Sequence, residues 1–270
     1  MTEATEREPI DLGTPDLICE REGAVAWLTF NRPQARNAMT WAMYEGLFEA
    51  CALVDADERI RVFVLRGAGE KAFVSGTDIS QFQSFREPED ALAYERNVNR
   101  YATRLESMQK PTIALIRGYC VGGGAALAMA CDLRIASVDA KFGIPIARTL
   151  GNTLSAQNLA RLVSLIGPAR AKELIFTARF IGAAEGQAIG LFNEVVEGAQ
   201  IEQVTRELAA TIAGHAPLTI RSIKEGVRRI AVHQRSDETN DLYLMCYMSD
   251  DFREGVSAFL AKRPPAWKGR

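Results

Sequence analysis

Short, continuously apolar runs in the first half of the chain predict buried β-strands. Residues 17–19 and 25–30 are two such runs, and Arg21-Glu22-Gly23 between them predicts a hairpin turn. Runs of the same kind predict further strands at 62–65, 112–116, 133–136 and 195–196. Continuous rather than alternating apolar runs are typical of strands that are covered on both faces.

Apolar positions spaced by three and four residues predict helices, most of them in the second half of the chain. Thr40 is a candidate N-cap for a helix to about residue 56, with Leu47, Ala50 and Val54 on one face. The other predicted helices are 90–108, 125–131, 154–166, 201–213, 218–232, 239–248 and 255–262. The helix predicted at 125–131 is apolar on every side, which indicates a place in the protein interior.

This order of elements predicts an α/β fold. Strands concentrate before residue 200, which favours repeated strand-strand-helix units that form a core over residues 16–200. Residues 201–270 are predicted to be a helical region packed outside that core. Residues 1–15 offer almost nothing to bury, so we expect a disordered N-terminal tail.

Composition and charge narrow the possible classes of protein. The chain has 270 residues, 47% of them hydrophobic and 24% charged, which excludes a disordered or fibrous protein. The formal net charge is −2, and the basic residues are scattered, so we expect neither a nucleic acid nor a membrane as partner. Without a signal-like segment or a run of about 18 apolar residues, we expect a cytoplasmic protein.

The cysteines give no sign of a disulfide framework or of a metal site. Their number is odd, their spacing is irregular, and no CxxC pair is present, so we expect a reducing compartment and no bound metal. They are Cys19, Cys51, Cys120, Cys131 and Cys246.

Two glycine-rich segments, 71–79 and 117–124, are the strongest candidates for a functional site. The triple glycine Gly122-Gly123-Gly124 follows a predicted strand and precedes a helix, yet it lacks the spacing of phosphate-binding loops. Glycine lets a backbone N–H approach a ligand, and the start of a helix adds a positive dipole end. The segment therefore suits the binding of an oxyanion.

Several motifs in the same order resemble the enoyl-CoA hydratase family of the crotonase superfamily, over about 250 residues. Besides the two glycine segments, they are Asn31-Arg32-Pro33 with Asn37-Ala38, Cys131-Asp132, and the segment 251–255 followed by Ala258-Phe259 and Lys262-Arg263. The resemblance implies the ClpP/crotonase spiral of ββα units with a C-terminal helical region. It also implies an acyl-coenzyme A thioester as substrate, no separate cofactor, and a homotrimer or a dimer of trimers.

The resemblance also assigns roles to individual residues. The backbone N–H groups of Thr77 and Gly123 are expected to form an oxyanion hole around the thioester carbonyl. Further residues are expected to border coenzyme A or the acyl group, with Phe259 and Lys262 contributed by the same or a neighbouring subunit. They are Arg36, Ala38, Lys71, Ala72, Phe73, Ser75, Asp78, Ile79, Gly122, Arg148, Phe259 and Lys262.

For three of these residues another role stays open. Asp78 is better suited to fixing the loop that contains it, and Lys71 and Lys262 are equally suited to lying solvated on the surface. Arg148 is a candidate to hold a carboxylate or hydroxyl of the acyl group, whereas Asn152 to Ser155 are better suited to capping the next helix.

The sequence departs from the hydratases at both catalytic acids. The two glutamates of that family fall on Ala126 and Ile146, and residues 119–131 and 140–172 contain no Asp or Glu. Each such group contributes roughly 100- to 10,000-fold to a rate, so hydration is not supported by these positions. Decarboxylation or isomerisation through an enolate is favoured instead.

Two alternatives stay open from the sequence. One is a hydratase or isomerase that recruits an acid from elsewhere, with Glu87, Glu89 and Glu95 in the segment expected to cover the acyl pocket. The other is a family member that binds coenzyme A without catalysis. His215 and His233 are expected to lie on the surface or in packing contacts, and the cysteines near the glycines are expected to be inert.

Overall fold

The computed structural model describes residues 7–233 and 240–268, which form eleven strands and ten helices. The strands are β1 (Arg7–Ile10), β2 (Leu17–Glu22), β3 (Val25–Phe30), β4 (Val62–Gly67), β5 (Ala72–Val74), β6 (Thr112–Ile116), β7 (Tyr119–Val121), β8 (Leu133–Ser137), β9 (Lys141–Gly143), β10 (Ile181–Gly182) and β11 (Glu194–Val196). The helices are α1 (Trp41–Ala56), α2 (Pro88–Glu106), α3 (Gly123–Ala130), α4 (Ile146–Thr149), α5 (Ala156–Thr177), α6 (Ala183–Ala188), α7 (Ile201–Ala213), α8 (Pro217–His233), α9 (Asn240–Tyr247) and α10 (Asp250–Leu260). Within the described ranges, no helix has both the length and the apolar character that crossing a membrane requires.

The larger sheet contains seven strands in the order β1-β2-β3-β4-β6-β8-β11. β1, β2 and β3 pair antiparallel, and the later neighbours pair parallel. On one face, Val64 and Ile113 of the sheet belong to one buried cluster with Ile201 and Ala209 of α7. The continuous apolar runs of β4 and β6 follow from this, because helices cover both faces of these strands.

The smaller sheet positions the glycine-rich segments. Its order is β10-β9-β7-β5, and β5, β7 and β9 pair parallel. Ala72 lies opposite Tyr119 in the register of β5 and β7. Because the carboxyl ends of parallel strands meet at one edge, the residues after Val74 and those after Val121 lie side by side.

The interior is built around α3, whose residues are buried from Gly124 to Ala130. Its sequence has small residues on most faces, so that it fits between the sheets and the surrounding helices α2 and α5. An α-helix with no polar face is stable only when it is enclosed in this way. The sequence-based prediction of an interior helix at this place is confirmed.

Aromatic side chains from four segments form a second, smaller cluster. Phe82 follows β5 in the 3₁₀ helix Ile79–Ser84, Tyr94 belongs to α2, Tyr247 to α9 and Phe252 to α10. The ring centroids of Phe82 and Tyr94 are 4.8 Å apart, as are those of Tyr247 and Phe252. The C-terminal helices therefore pack over the segment that follows β5 in the same chain.

Most strand and helix predictions from the pattern are confirmed. α1 begins after Thr40, whose hydroxyl accepts a hydrogen bond from the N–H of Met43 at 3.3 Å. α7 spans the predicted residues 201–213, and the hairpin at residues 17–30 is present as β2 and β3. These elements have strong periodicity or clear capping residues, which are local signals.

Three predictions about local structure were wrong. Residues 1–15 were expected to be disordered, but Arg7–Ile10 forms an edge strand on β2, where Arg7 pairs with Glu20 at 3.2 Å. Residues 1–6 lie outside the described part. α10 begins at Asp250 rather than at residue 255, because Ser249 caps it. The predicted end at residue 166 is confirmed as a break in α5, since Gly167 has a φ of 79° and a second helical stretch continues from Pro168 to Thr177. The sequence pattern did not predict the strands of the smaller sheet, because apolar runs of two or three residues are too short to show the periodicity of a strand or a helix.

Asn37, a motif residue in the loop before α1, has a structural role. The buried amide of Asn37 donates to the carbonyls of Ala68 at 3.1 Å and Ala72 at 2.8 Å, and its oxygen accepts from the N–H of Arg32 at 3.0 Å. Asn37 thus fastens the loop before α1 to the start of β5. Its φ of 57° lies in the left-handed region that asparagine tolerates better than most residues.

We expect Asn37→Ala to lower the free energy of unfolding by roughly 2 to 4 kcal/mol, because three buried backbone groups lose their partner. Asn31→Ala is the matched control, since it removes one exposed hydrogen bond to Pro15 and should change stability by no more than about 0.5 kcal/mol. Urea unfolding followed by tryptophan fluorescence measures both. Equal midpoints for the two variants would contradict this role.

Candidate active site

Two backbone N–H groups from separate strands point toward one cavity. β5 leads through Gly76, with φ of 115°, to Thr77, and β7 leads through Gly122, with φ of 54°, to Gly123 at the start of α3. A Cβ placed on Gly123 would lie 3.3 Å from the nitrogen of Thr77. Within residues 7–233 and 240–268, neither N–H donates to a protein acceptor.

Glycine is required by close contacts in the second segment. A Cβ at Gly123 would lie 2.6 Å from the hydroxyl oxygen of Tyr44, and one at Gly124 would lie 2.1 Å from the carbonyl oxygen of Val74. Both distances are shorter than van der Waals contact allows. The triple glycine thus permits the start of α3 to approach β5 and Thr77 closely.

The side chain of Thr77 is held by two buried tyrosines. Its hydroxyl lies 2.9 Å from the hydroxyl of Tyr44 and 3.1 Å from that of Tyr94. Burial raises the pKa of Tyr44 to about 12 and that of Tyr94 well above its usual value, so both stay protonated. The N–H of Met39 donates to the carbonyl of Gly76 at 2.8 Å, and the carbonyl of Met39 accepts from the N–H of Asp78 at 2.9 Å. These two backbone hydrogen bonds fix the same turn.

The cavity in front of these N–H groups has a volume of about 370 Å³, at the lower end of the range for small-molecule sites. Its wall is mostly apolar. The apolar and glycine residues that line it are Ala35, Ala38, Gly76, Ile79, Phe82, Val98, Val121, Gly122, Gly123, Ala126, Ile144, Pro145, Ile146, Leu150, Leu154 and Phe259, and the polar ones are Ser75, Thr77, Asp78, Tyr94, Glu95, Thr149, Asn152, Thr153, Ser155 and Asn158.

The two positions where hydratases have glutamate face this cavity. Ala126 in α3 is 3% exposed and Ile146 at the start of α4 is 9% exposed, and both line the wall. Because both side chains are aliphatic, this part of the wall offers neither a proton donor nor a base.

Two carboxyl groups are nevertheless present in the wall, and that of Asp78 caps the 3₁₀ helix Ile79–Ser84. Glu95 in α2 is 5% exposed and lines the cavity, and its Oε1 accepts a hydrogen bond from the hydroxyl of Tyr247 at 2.5 Å. The hydroxyl of Tyr247 in turn accepts from Nδ2 of Asn152 at 3.2 Å. Burial, partly offset by the hydrogen bond from Tyr247, raises the pKa of Glu95 to about 7.

Of the three glutamates that the sequence offered, only Glu95 reaches the cavity. Glu87 caps the start of α2, and Glu89 is exposed and pairs with Arg96. A sequence signal for Glu95 existed, because it lies four residues after Ala91 and three before Val98 on the buried face of α2. A glutamate on an apolar helix face is unusual enough to single it out.

The end of the cavity near α4 and α5 is polar. Ser155 caps α5, as expected, by accepting from the N–H of Asn158 at 3.2 Å. Asn152 and Thr153 also line this end, and Oδ1 of Asn152 is buried without a hydrogen-bond partner in the described part of the chain. Arg148 is exposed and does not line the cavity.

The residues that the resemblance placed around coenzyme A separate into two groups. Ala38, Ser75, Asp78, Ile79, Gly122 and Phe259 line the cavity, and Phe259 reaches it from α10 of the same chain. The others do not line it. Ala72 and Phe73 are buried in the core, where Phe73 contacts Phe30, and Arg36, Lys71 and Lys262 are exposed.

Asp78 and the cysteines have the roles that the sequence favoured. The carboxylate of Asp78 caps the 3₁₀ helix by accepting from the N–H and hydroxyl of Ser80. Cys120 and Cys131 are buried, and burial raises the pKa of both thiols, that of Cys131 to about 12, which disfavours a reactive thiolate. The side chain of His233 lies outside the described residues.

The raised pKa of Glu95 predicts a pH-dependent stability. The pKa of Glu95 is near 4.5 in the unfolded chain and about 7 in the folded protein, so between these pH values the folded state holds a proton that the unfolded state releases. The contribution of neutral Glu95 to the free energy of unfolding is therefore complete below pH 4.5 and is lost as the pH rises through 7. We expect wild type to lose roughly 2 to 3 kcal/mol relative to Glu95→Gln between pH 4.5 and pH 8. Urea unfolding at both pH values measures it, and parallel stability curves would contradict it.

Comparisons with known proteins identify the family of this chain. A family model described as Enoyl-CoA hydratase/isomerase matches residues 20–270. The short-chain-enoyl-CoA hydratase of Clostridium acetobutylicum is 35% identical over 251 residues, covering 92% of this chain and 95% of that protein. A solved enoyl-CoA hydratase/carnithine racemase from Magnetospirillum magneticum is 35% identical, with a TM-score of 0.78 and coverage of 96% and 97%.

A third similar protein is a solved methylmalonyl-CoA decarboxylase in complex with 2-nitronate-propionyl-CoA, which is 31% identical with a TM-score of 0.87 and coverage of 96% and 100%. Its fold similarity and that of the racemase structure confirm the predicted crotonase fold. Together, the family match and the identities show that this chain is an acyl-CoA enzyme of the enoyl-CoA hydratase/isomerase family within the crotonase superfamily.

Proposed function

We propose that this protein decarboxylates a malonyl-type acyl-coenzyme A thioester by stabilising the resulting enolate with the N–H groups of Thr77 and Gly123. The observation that carries the proposal is their combination with an aliphatic wall at Ala126 and Ile146. A decarboxylase needs the oxyanion site but no base to start the reaction. The similarity to a methylmalonyl-CoA decarboxylase supports the same conclusion.

The reaction uses the geometry of the site directly. Cleavage of the bond between the α-carbon and the carboxylate releases carbon dioxide, and the electron pair moves onto the thioester oxygen as an enolate. Two unpaired N–H donors, one at the first turn of α3, stabilise this developing charge, and the helix dipole adds to their effect. No metal and no cofactor other than the coenzyme A of the substrate is needed for these steps.

A double-bond isomerase is the second candidate, and the carboxyl group of Glu95 favours it. One carboxyl group with a pKa of about 7 is suited both to remove and to return a proton near neutral pH. Hydration is less well supported, although several relatives are named hydratases. It needs a water molecule that is activated and a second proton that is delivered, and the aliphatic wall supplies neither.

We expect the protein to release carbon dioxide from methylmalonyl-CoA and to leave the ultraviolet absorbance of crotonyl-CoA nearly unchanged. Gly123→Ala should lower the turnover of methylmalonyl-CoA roughly 100- to 1000-fold, because its methyl group displaces one oxyanion donor. Gly198→Ala is the control, since a Cβ there meets nothing within 4 Å. Carbon dioxide release coupled to a carboxylase assay measures all three proteins.

The outcomes of this experiment separate the candidate functions. Rapid loss of crotonyl-CoA absorbance without carbon dioxide release would replace decarboxylation by hydration. Double-bond migration in a 3-enoyl-CoA without carbon dioxide release would establish the isomerase. Tight thioester binding without turnover of any of these substrates would indicate a binding protein that has lost catalysis.

A charged wall is predicted to oppose decarboxylation. Ile146→Glu places a second negative charge beside the carboxylate of the substrate, and two such charges at 4 Å repel by about 4 kcal/mol at an effective dielectric constant of 20. We expect kcat/KM for methylmalonyl-CoA at pH 8 to fall at least about 10-fold relative to Ile146→Gln, which has nearly the same shape. Equal values for the two variants would show that the wall does not contact the carboxylate.

The proposed enzyme is a homotrimer or a dimer of trimers. α8 exposes an apolar stripe in this chain, with Ile223 at 65%, Val227 at 63% and Ile230 at 62% exposed. Apolar side chains at spacings of four and three residues lie on one helix face and are typical of a buried interface.

Light scattering is expected to give three or six times the chain mass of 29.7 kDa. Val227→Glu should lower the mass, whereas Ser222→Glu on the neighbouring face should not. A monomeric wild-type protein would contradict the assembly.

A further inference from the structure

Decarboxylation does not require the carboxyl group of Glu95 in order to begin. An unpaired carboxylate is costly to bury, and within the described ranges no Lys, Arg or His side chain forms an ion pair with Glu95. Substitution by leucine or methionine would remove this cost. The presence of an acid in this wall therefore points to a use for its proton.

The groups around Glu95 hold it without neutralising it. The titratable groups that face it are hydroxyls, from Tyr44 of α1, Tyr94 of α2 and Tyr247 of α9. Burial raises the pKa of all three, so they remain neutral donors over the working pH range. Of the three tyrosines and Glu95, only Glu95 therefore has a pKa near neutral pH.

The carboxyl group is also oriented. Oε1 accepts the hydrogen bond from Tyr247, and Tyr247 is itself held by Asn152. The neighbouring residue Tyr94 contacts the hydroxyl of Thr77, so α2 presents the acid in the same wall region as one half of the oxyanion pair.

We propose that Glu95 is the catalytic residue that exchanges a proton with the α-carbon of the bound acyl thioester, and that Tyr247 is its positioning residue. The inference rests on the proposed function, because the enolate that Glu95 protonates must first be stabilised by Thr77 and Gly123.

The proton balance of the proposed step is complete. After carbon dioxide has left, the enolate re-forms the thioester carbonyl, and its electron pair takes the proton of neutral Glu95 at the α-carbon. Glu95 is left as a carboxylate and regains a proton from water when the product leaves. In the reverse direction, the carboxylate removes an α-proton from a saturated thioester, and the enolate charge again moves to the oxygen.

This reverse step gives a test that does not depend on decarboxylation. The protein is incubated with propionyl-CoA in D₂O, and deuterium at the α-carbon is followed by mass spectrometry. Wild type is expected to catalyse the exchange, and Glu95→Gln to lower its rate at least about 100-fold. Glu89→Gln is the matched control on the same helix and should exchange at the wild-type rate, because its side chain is exposed.

Binding of propionyl-CoA to Glu95→Gln, measured by calorimetry, confirms that the variant is folded. If the bound variant exchanges at the wild-type rate, the proposal is overturned.

The role of Tyr247 is tested by a pH profile. The hydrogen bond from Tyr247 lowers the pKa of Glu95, so its removal in Tyr247→Phe is expected to move the midpoint of the exchange rate upward by about one unit. Tyr243→Phe, in the same aromatic cluster but bonded to the N–H of Ala156, should leave the midpoint unchanged. An unchanged midpoint in Tyr247→Phe would show that Tyr247 contributes packing only and does not position Glu95.

The two proposals fail in different ways. Exchange that depends on Glu95, without carbon dioxide release from methylmalonyl-CoA, rejects decarboxylation and keeps Glu95 as the proton-transfer residue. Carbon dioxide release with exchange that is indifferent to Glu95→Gln keeps the decarboxylase and rejects the role of Glu95. Absence of both activities, with propionyl-CoA bound, rejects both.

Discussion

The parallel pairing of β5 with β7 is the interaction on which the site depends. Each strand contributes three residues, and their pairing brings Thr77 beside Gly123 although 46 positions separate them along the chain. Because strand pairing fixes backbone rather than side chains, the donors at this edge are N–H groups. Their direction is set before any ligand arrives, which is the condition for effective stabilisation of an oxyanion.

Around this fixed backbone, the side chains of the wall distinguish the candidate reactions. Small and aliphatic residues such as Ala126 and Ile146 make one part of the wall apolar, and Glu95 of α2 supplies an acid. Under the proposed function, this wall favours chemistry that begins without a base. Addition of water by the same backbone would require two acids in the wall, so the proposal places the difference between reaction types in the side chains rather than in the fold.

The C-terminal helices complete the site from a distance in sequence. Tyr247 of α9 contacts Glu95, and Phe259 of α10 lines the cavity, so the last quarter of the chain determines the environment of an acid near its middle. Burial raises the pKa of that acid, and its hydrogen-bond partner Tyr247 belongs to the aromatic cluster. Stability and reactivity are coupled here, because the packing that excludes water also keeps Glu95 partly protonated.

The sequence by itself determined the elements with strong local signals and the backbone part of the site. Capping at Thr40, the periodicity of α7 and the glycine motifs located α1, α7, Thr77 and Gly123, because each signal lies within a few neighbouring residues. It also pointed to Ala126 and Ile146, which line the cavity in the structure.

Only the tertiary structure decided the smaller sheet, the edge strand at Arg7–Ile10, and the choice of Glu95 over Glu87 and Glu89. Strands of three residues have no period to detect, and their pairing depends on partners far away in sequence. The choice among the glutamates depends on which side chain Tyr247 and the aromatic cluster enclose. The apolar face of α2 is a local signal for Glu95, but the pKa of its carboxyl group is a property of that enclosure.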